Sequence, residues 1–219
     1  PLTDYITTSV SYGREKVIPG LRKDEFRVRG SNKQTVTFGL DYDTRDFIPN
    51  PMTGAHYGGY IAYGVRNYTS GFATPIDTSL TVEQEDAISS FSLAKAREQK
   101  IQIFSANFIP VSTRQVFSIE THLSGIQSQE EIIPEYELYK LGGTNSLRGY
   151  REGQFLGSRI AWLNKEYRFL IGRKSRFFLF LDSGYYYQRS AVSSSGRLNL
   201  FKRQASLSST LLIVTHDGV

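Results

Sequence analysis

The feature that most constrains this chain is an apolar/polar alternation of period two, restarted repeatedly in segments about ten residues long. In "TVTFGLDYD" (35–43), Val36, Phe38, Leu40 and Tyr42 share one face, while Thr35, Thr37, Gly39, Asp41 and Asp43 share the other. "VFSIETHLSG" sets Phe117, Ile119 and Leu123 against Ser118, Glu120, His122 and Ser124. "YITTSVSY" aligns Ile6, Val10 and Tyr12, and "AHYGGYIAYGV" aligns Tyr57, Ile61, Tyr63 and Val65. Further on, "AWLNKEYRFLI" opposes Leu163, Tyr167, Phe169 and Ile171 to Trp162, Asn164, Glu166 and Arg168, with Lys165 intruding on the apolar side. "RFFLFLDSGYYYQ" opposes Phe177, Leu179, Leu181, Tyr185 and Tyr187 to Phe178, Phe180, Asp182, Gly184 and Tyr186. Segments 99–109 and 204–215 alternate less clearly. The pattern predicts an all-β fold of about eight two-faced strands.

The connections fall into two classes that take turns. Those at 47–54, 111–114 and 172–175 are short and rich in turn residues, whereas 14–32, 69–95, 127–157 and 189–203 are long and polar. In an antiparallel up-and-down sheet this order gathers the short turns at one end and the long loops at the other, which is the layout of a transmembrane β-barrel. A soluble sandwich also alternates. The length of the segments suits a tilted membrane strand, and the aromatics cluster near strand ends, as in "GYYYQ", where an interfacial girdle would lie. These points favour the barrel.

Composition removes other classes. With no cysteine among 219 residues there is neither a disulfide framework nor a thiolate metal site, and His56, His122 and His216 are too scattered for a histidine metal cluster. No metal or cofactor is expected. The net charge of +5 comes from Lys and Arg interleaved with Asp and Glu, not from the basic block of a nucleic-acid arm. No apolar run approaches the roughly 20 residues of a spanning helix.

Chemistry concentrates around "KLGGTNSLRGYREGQF" (140–155). It lacks the spacing of a phosphate loop or a dinucleotide fingerprint, and Ser146 has no identifiable base. Gly142 and Gly143 are read either as functional or simply as hosts for positive φ. Glu166 and Asp182 fall on consecutive strands with the same parity, facing away from the apolar side. Two nearby carboxylates fit a general acid and base, or else they need a counter-charge, which Arg148 supplies if the loop folds inward.

Three motifs then carry a resemblance. "GGTNSLRGY" resembles the [V/L]-R-G-[F/Y] loop of the BamA and TamA superfamily of bacterial surface-antigen barrels. "FLDSG" is similar to that family's F-x-D-x-G strand, and "YDTRDFIPNPMTG" to its D-x-R-D…P-x-x-G hairpin. The resemblance spans residues 41–184. It implies a lumen loop at about 127–157 with Gly142, Gly143, Leu147, Arg148, Gly149 and Tyr150, pinned by strand residues Glu166, Phe180, Asp182 and Gly184. It implies a hairpin built on Asp43, Arg45, Asp46, Pro51 and Gly54. Gly149 would let the backbone turn closely, and Leu147, Tyr150 and Phe180 would pack around the charged centre.

The implied architecture is about eight strands of a sixteen-strand barrel, with residues 1–219 forming part of an outer-membrane barrel domain. The implied partners are outer-membrane lipids, unfolded outer-membrane or secreted protein substrates, periplasmic POTRA domains of the same chain and accessory lipoproteins, with no nucleic acid. The implied place is the outer membrane of a Gram-negative bacterium or an organelle of bacterial origin. The implied activity is non-enzymatic insertion or translocation of proteins. The competing readings are a passive pore, an export barrel for a fused passenger such as a patatin-type lipase, and a carbohydrate enzyme using Glu166 and Asp182.

Overall fold

The computed structural model describes residues 5–18, 30–68, 95–130, 133, 135–172, 174–188, 191–192, 198–199 and 202–210. The alternating segments become strands: β1 (Ile6–Val17), β2 (Ser31–Asp43), β3 (Gly54–Tyr68), β4 (Lys95–Ser112) and β5 (Gln115–Ser128). Two short strands follow, β6 (Tyr139–Leu141) and β7 (Phe155–Gly157), and then β8 (Arg159–Leu170) and β9 (Arg176–Gln188). The last are β10 (Ala191–Val192), β11 (Leu198–Asn199) and β12 (Lys202–Thr210). Eight of them form one sheet in the order β1-β2-β3-β4-β5-β8-β9-β12, and every pairing is antiparallel. This is the up-and-down arrangement that alternation and connection length predict. Within the described residues β1 and β12 are the sheet's two edges. No helix there is long and apolar enough to cross a membrane.

The strands outrun the expected lengths at their long-loop ends. β1 continues to Val17, β2 begins at Ser31, β3 runs to Tyr68 and β4 begins at Lys95. In these extensions polar residues occupy both faces, as in "KAREQ", so the apolar rhythm that reveals a strand is silent there. At the opposite end β4 runs to Ser112 and β5 restarts at Gln115, which leaves only Thr113 and Arg114 as the turn. The register shifts between Pro110 and Ser112, where proline has no N–H to give to the ladder. The segment expected at 204–215 is described to Thr210, and its remainder lies outside the described residues, as do 19–29 and 69–94.

Burial inverts the rule for soluble proteins. Phe38, Leu40, Ile61, Ile101, Ile103, Leu123, Leu179 and Leu181 are exposed on the outer face, while Lys33, Arg66, Glu98, Asn164, Glu166, Arg168 and Asp182 are buried on the inner one. A sandwich core would cover the apolar face, so this arrangement decides between the two folds that alternation permits. Lys165 stands on the outer face between Ile119 of β5 and Leu181 of β9.

The inner face is covered by the connection between β5 and β8. Its entry and exit are tied together where the Ile126 N–H donates to the Ser158 carbonyl at 2.7 Å. Inside this connection lie a 3-10 turn (Glu135–Glu137) and a hairpin of β6 against β7, so the long polar segment has a folded stalk of its own. Two apolar clusters seat it: Leu141, Leu147, Ile160 and Tyr186, and then Ile126, Ile133 and Leu138.

Candidate functional site

The tip of this connection is shaped by glycine. Gly142, Gly143 and Gly149 have φ of 115°, 107° and 89°, and a Cβ on Gly142 would lie 2.6 Å from the Arg151 carbonyl oxygen. The Ser146 hydroxyl accepts from the Gly142 N–H at 3.0 Å, and the Gly143 N–H donates to the Leu147 carbonyl at 3.2 Å. These local bonds turn the backbone back on itself. Leu147 and Arg148 are then presented side by side to β8 and β9.

Arg148 meets Asp182 through three bonds. Its backbone N–H donates to Oδ2 at 3.0 Å, Nε to Oδ2 at 2.7 Å and Nη2 to Oδ1 at 2.6 Å. The two guanidinium bonds make a fork that only a planar cation can offer a carboxylate. Nη1 of the same group donates to Glu166. The guanidinium carbon lies 3.8 Å from the centre of the Phe180 ring, a cation–π contact that covers one face of the ion.

Asp182 is fully buried, so its charge depends on these partners and on Asn164, whose side-chain amide donates to Oδ1 at 2.8 Å. The same amide nitrogen donates to the Ser146 carbonyl at 2.6 Å and ties the loop backbone to β8. Arg168 donates to Glu166 at 2.6 Å and to Glu120 at 3.1 Å, extending the network to β5. Register accounts for this convergence: Asn164 pairs with Asp182 and with Glu120, and Glu166 pairs with Phe180.

The neighbours of Arg148 divide by chemistry. Leu147 is fully buried against Leu141, and Gly184 provides its seat, since a Cβ there would lie 3.0 Å from Leu147 Cδ2. Tyr150 packs against the cluster that holds Leu147, and its ring lies edge-on at 5.0 Å from Phe155.

The hairpin residues form a separate, mostly local structure. Arg45 forks onto Asp43 at 2.9 and 2.7 Å, and Asp46 Oδ1 accepts the backbone N–H groups of Met52 and Thr53 at 2.9 and 3.2 Å. Gly54 has φ 98°, and its missing Cβ would lie 2.3 Å from the Thr44 carbonyl oxygen. Pro51 is buried in the turn. The turn also reaches across to β9, where Arg176 donates to Asn50 Oδ1 at 3.0 Å and to the Pro49 carbonyl at 3.2 Å. Met52 packs on Phe108, Val116 and Leu170. The hairpin thereby borders the Arg148 network, since Arg176 and Arg148 both lie over the Phe178 ring, at 5.6 and 5.7 Å from its centre.

Sequence reasoning passed over Glu120, Asn164 and Arg168 as members of this network, although their parity places them on the polar face. It also passed over Glu137, which meets a second group of charges on β2, β3 and β4. No group of His, Cys, Asp and Glu fit to hold a metal occurs among the described residues.

No curated protein matches the chain. The Omp85 superfamily domain matches residues 22–209, so the chain belongs to that superfamily of outer-membrane protein-insertion and translocation barrels.

Proposed function

We propose that this chain forms part of an outer-membrane barrel that inserts or translocates other proteins without enzymatic chemistry, and that the β5–β8 loop is held in the lumen as an internal plug. One observation carries the reading: the bidentate fork of Arg148 on buried Asp182, shared with Glu166, joins a loop to the wall with charge that neither side can leave unpaired. Glu166 and Asp182 are both engaged by arginine, which disfavours the acid and base roles of a glycosidase. The exposed apolar outer face suits lipid. Its substrates are unfolded outer-membrane or secreted proteins, and its working partners are POTRA domains and accessory lipoproteins.

The test is depletion of the full-length gene product in its native cell, with folded outer-membrane proteins quantified. Depletion should lower their amount, and full-length protein carrying Arg148→Ala should restore them poorly. Normal assembly on depletion, together with constitutive ion conductance by the purified protein, would establish a passive pore. Loss of a single secreted passenger alone would establish a dedicated export barrel.

A further inference from the structure

The 3-10 turn places Glu137 against three cations from three different strands. Lys33 of β2 lies 2.8 Å from Glu137 Oε2, Lys100 of β4 donates to the same oxygen, and Arg66 of β3 donates to Oε1. Glu98 of β4 completes the wall, 2.6 Å from Lys33 and 3.4 Å from Lys100. Arg66 also donates to the Tyr136 hydroxyl. Glu137, Lys33, Arg66 and Glu98 are all buried.

Among the described residues the buried charges of the wall are not balanced by themselves. Lys33 and Arg66 are direct cross-strand partners in the β2–β3 register, an arrangement that like charges disfavour. Glu15, opposite Lys33 on β1, is exposed. Gly64 makes room for the arrangement, since a Cβ on it would lie 3.0 Å from Lys33 Cε. Among the described residues, three cations with one buried wall carboxylate are suited to a second carboxylate arriving from outside the sheet. The loop brings one.

We infer that Lys33, Arg66 and Lys100 form a carboxylate receptor on the inner wall, and that Glu137 is its resident ligand, a second lock on the loop at the far side from Arg148. The inference rests on the reading of the loop as an internal plug. The receptor makes the near limb of the loop exchangeable: when Glu137 leaves, its place must be taken by another carboxylate, since Lys33 and Arg66 are too buried for water to replace it fully. An acidic side chain or chain terminus of a polypeptide in the lumen has the required chemistry.

The test uses full-length protein in liposomes. These 219 residues contain no cysteine, so once any cysteine elsewhere in the full-length protein is replaced, single reporters can be placed at two buried loop positions, Leu138→Cys by the receptor and Ser146→Cys by Arg148. Glu137→Gln should raise maleimide labelling at position 138 on the order of tenfold or more, with a much smaller change at 146. Arg148→Ala should do the reverse. In a Glu137→Ala background, acetate should restore protection at 138 better than chloride at equal ionic strength. Labelling at 138 that Glu137→Gln leaves within about twofold of its background overturns the receptor while leaving the Arg148 lock to be judged at 146. Absence of acetate rescue overturns the receptor chemistry. Should Glu137→Gln fail to fold, Lys100→Gln on the less buried edge of the receptor takes its place, with the same expected and overturning results.

Discussion

The two charged contacts of the loop are mirror images in sign. At β5, β8 and β9 a loop cation, Arg148, enters a wall that carries Glu120, Glu166 and Asp182 with Arg168. At β2, β3 and β4 a loop carboxylate, Glu137, enters a wall that carries Lys33, Arg66 and Lys100 with Glu98. Opposite polarity means that neither limb of the loop can seat in the other's place without setting like charges together. The pattern specifies the orientation of the loop as well as its attachment. The partners differ as well. Both sides add packing, Phe180 and buried Leu147 beside Arg148, the Tyr136 ring over Arg66 and buried Leu138 beside Glu137, but Arg148 forks onto one fully buried carboxylate whereas two of the three partners of Glu137 are flexible lysines. The fork favours rigidity at the first contact and the lysines favour exchange at the second.

The largest effect expected from breaking this symmetry is at Arg148. Arg148→Ala leaves buried Asp182 with only neutral donors, the Asn164 amide and the backbone N–H of residue 148, and Glu166 with only Arg168, and the cost of breaking such a buried ion pair is about 3–5 kcal/mol. The measurement is the temperature at which the full-length protein loses its compact, heat-modifiable migration. Arg148→Lys should recover only part of the loss, because an ammonium cannot fork onto Asp182 while also reaching Glu166. Equal melting of the Ala variant and the wild type would place the stability of the loop in its β6–β7 stalk.

These two contacts were unequally legible in the sequence. The Arg148 side is compact in sequence, spanning 120–182, and its acids sit in segments where strict alternation fixes parity. The glycines, the arginine and "FLDSG" together carry a family motif, so charge partnership followed from parity and resemblance. The receptor side collects Lys33, Arg66, Glu98 and Lys100 from three strands, and three of these four lie in the polar extensions that alternation does not mark. Glu137 itself sits in "PEYELY", which reads as an ordinary acidic turn. Only the register Lys33↔Arg66 and Gly64↔Glu98 brings these groups together, and register is a tertiary property. The hairpin was legible for a third reason: Asp43, Arg45, Asp46 and Gly54 make mostly local bonds.

A smaller effect shows how far packing adds to the fork on the Arg148 side. Gly184→Ala adds a methyl 3.0 Å from Leu147 Cδ2 without touching an ion. Overpacking of this kind costs about 1–3 kcal/mol, so melting should fall by less than in Arg148→Ala, and labelling of the Ser146→Cys reporter should rise. An unchanged reporter would mean that the ions alone hold Leu147 in its seat.

The smallest effect expected near neutrality is that of pH on the receptor. Burial by itself would raise the Glu137 pKa, but hydrogen bonds from Lys100 and Lys33, and the charges of both, outweigh it and hold the carboxyl at about 2 against an ordinary 4.5. Lys33 faces it from β2, Arg66 from β3, Glu98 and Lys100 from β4, and Tyr136 and Tyr139 from the loop itself. A carboxyl whose pKa is lowered on folding contributes stability that is complete above its unfolded value and disappears as pH falls toward the folded one. The Glu137 contribution should therefore be flat from neutrality to about pH 4.5 and decline only between there and about 2. Melting of wild type and Glu137→Gln measured across that range separates this group from all others, because the difference between the two should shrink as the medium becomes more acid. A difference that stays constant down to about pH 2 would show that Glu137 holds the loop by shape and not by charge.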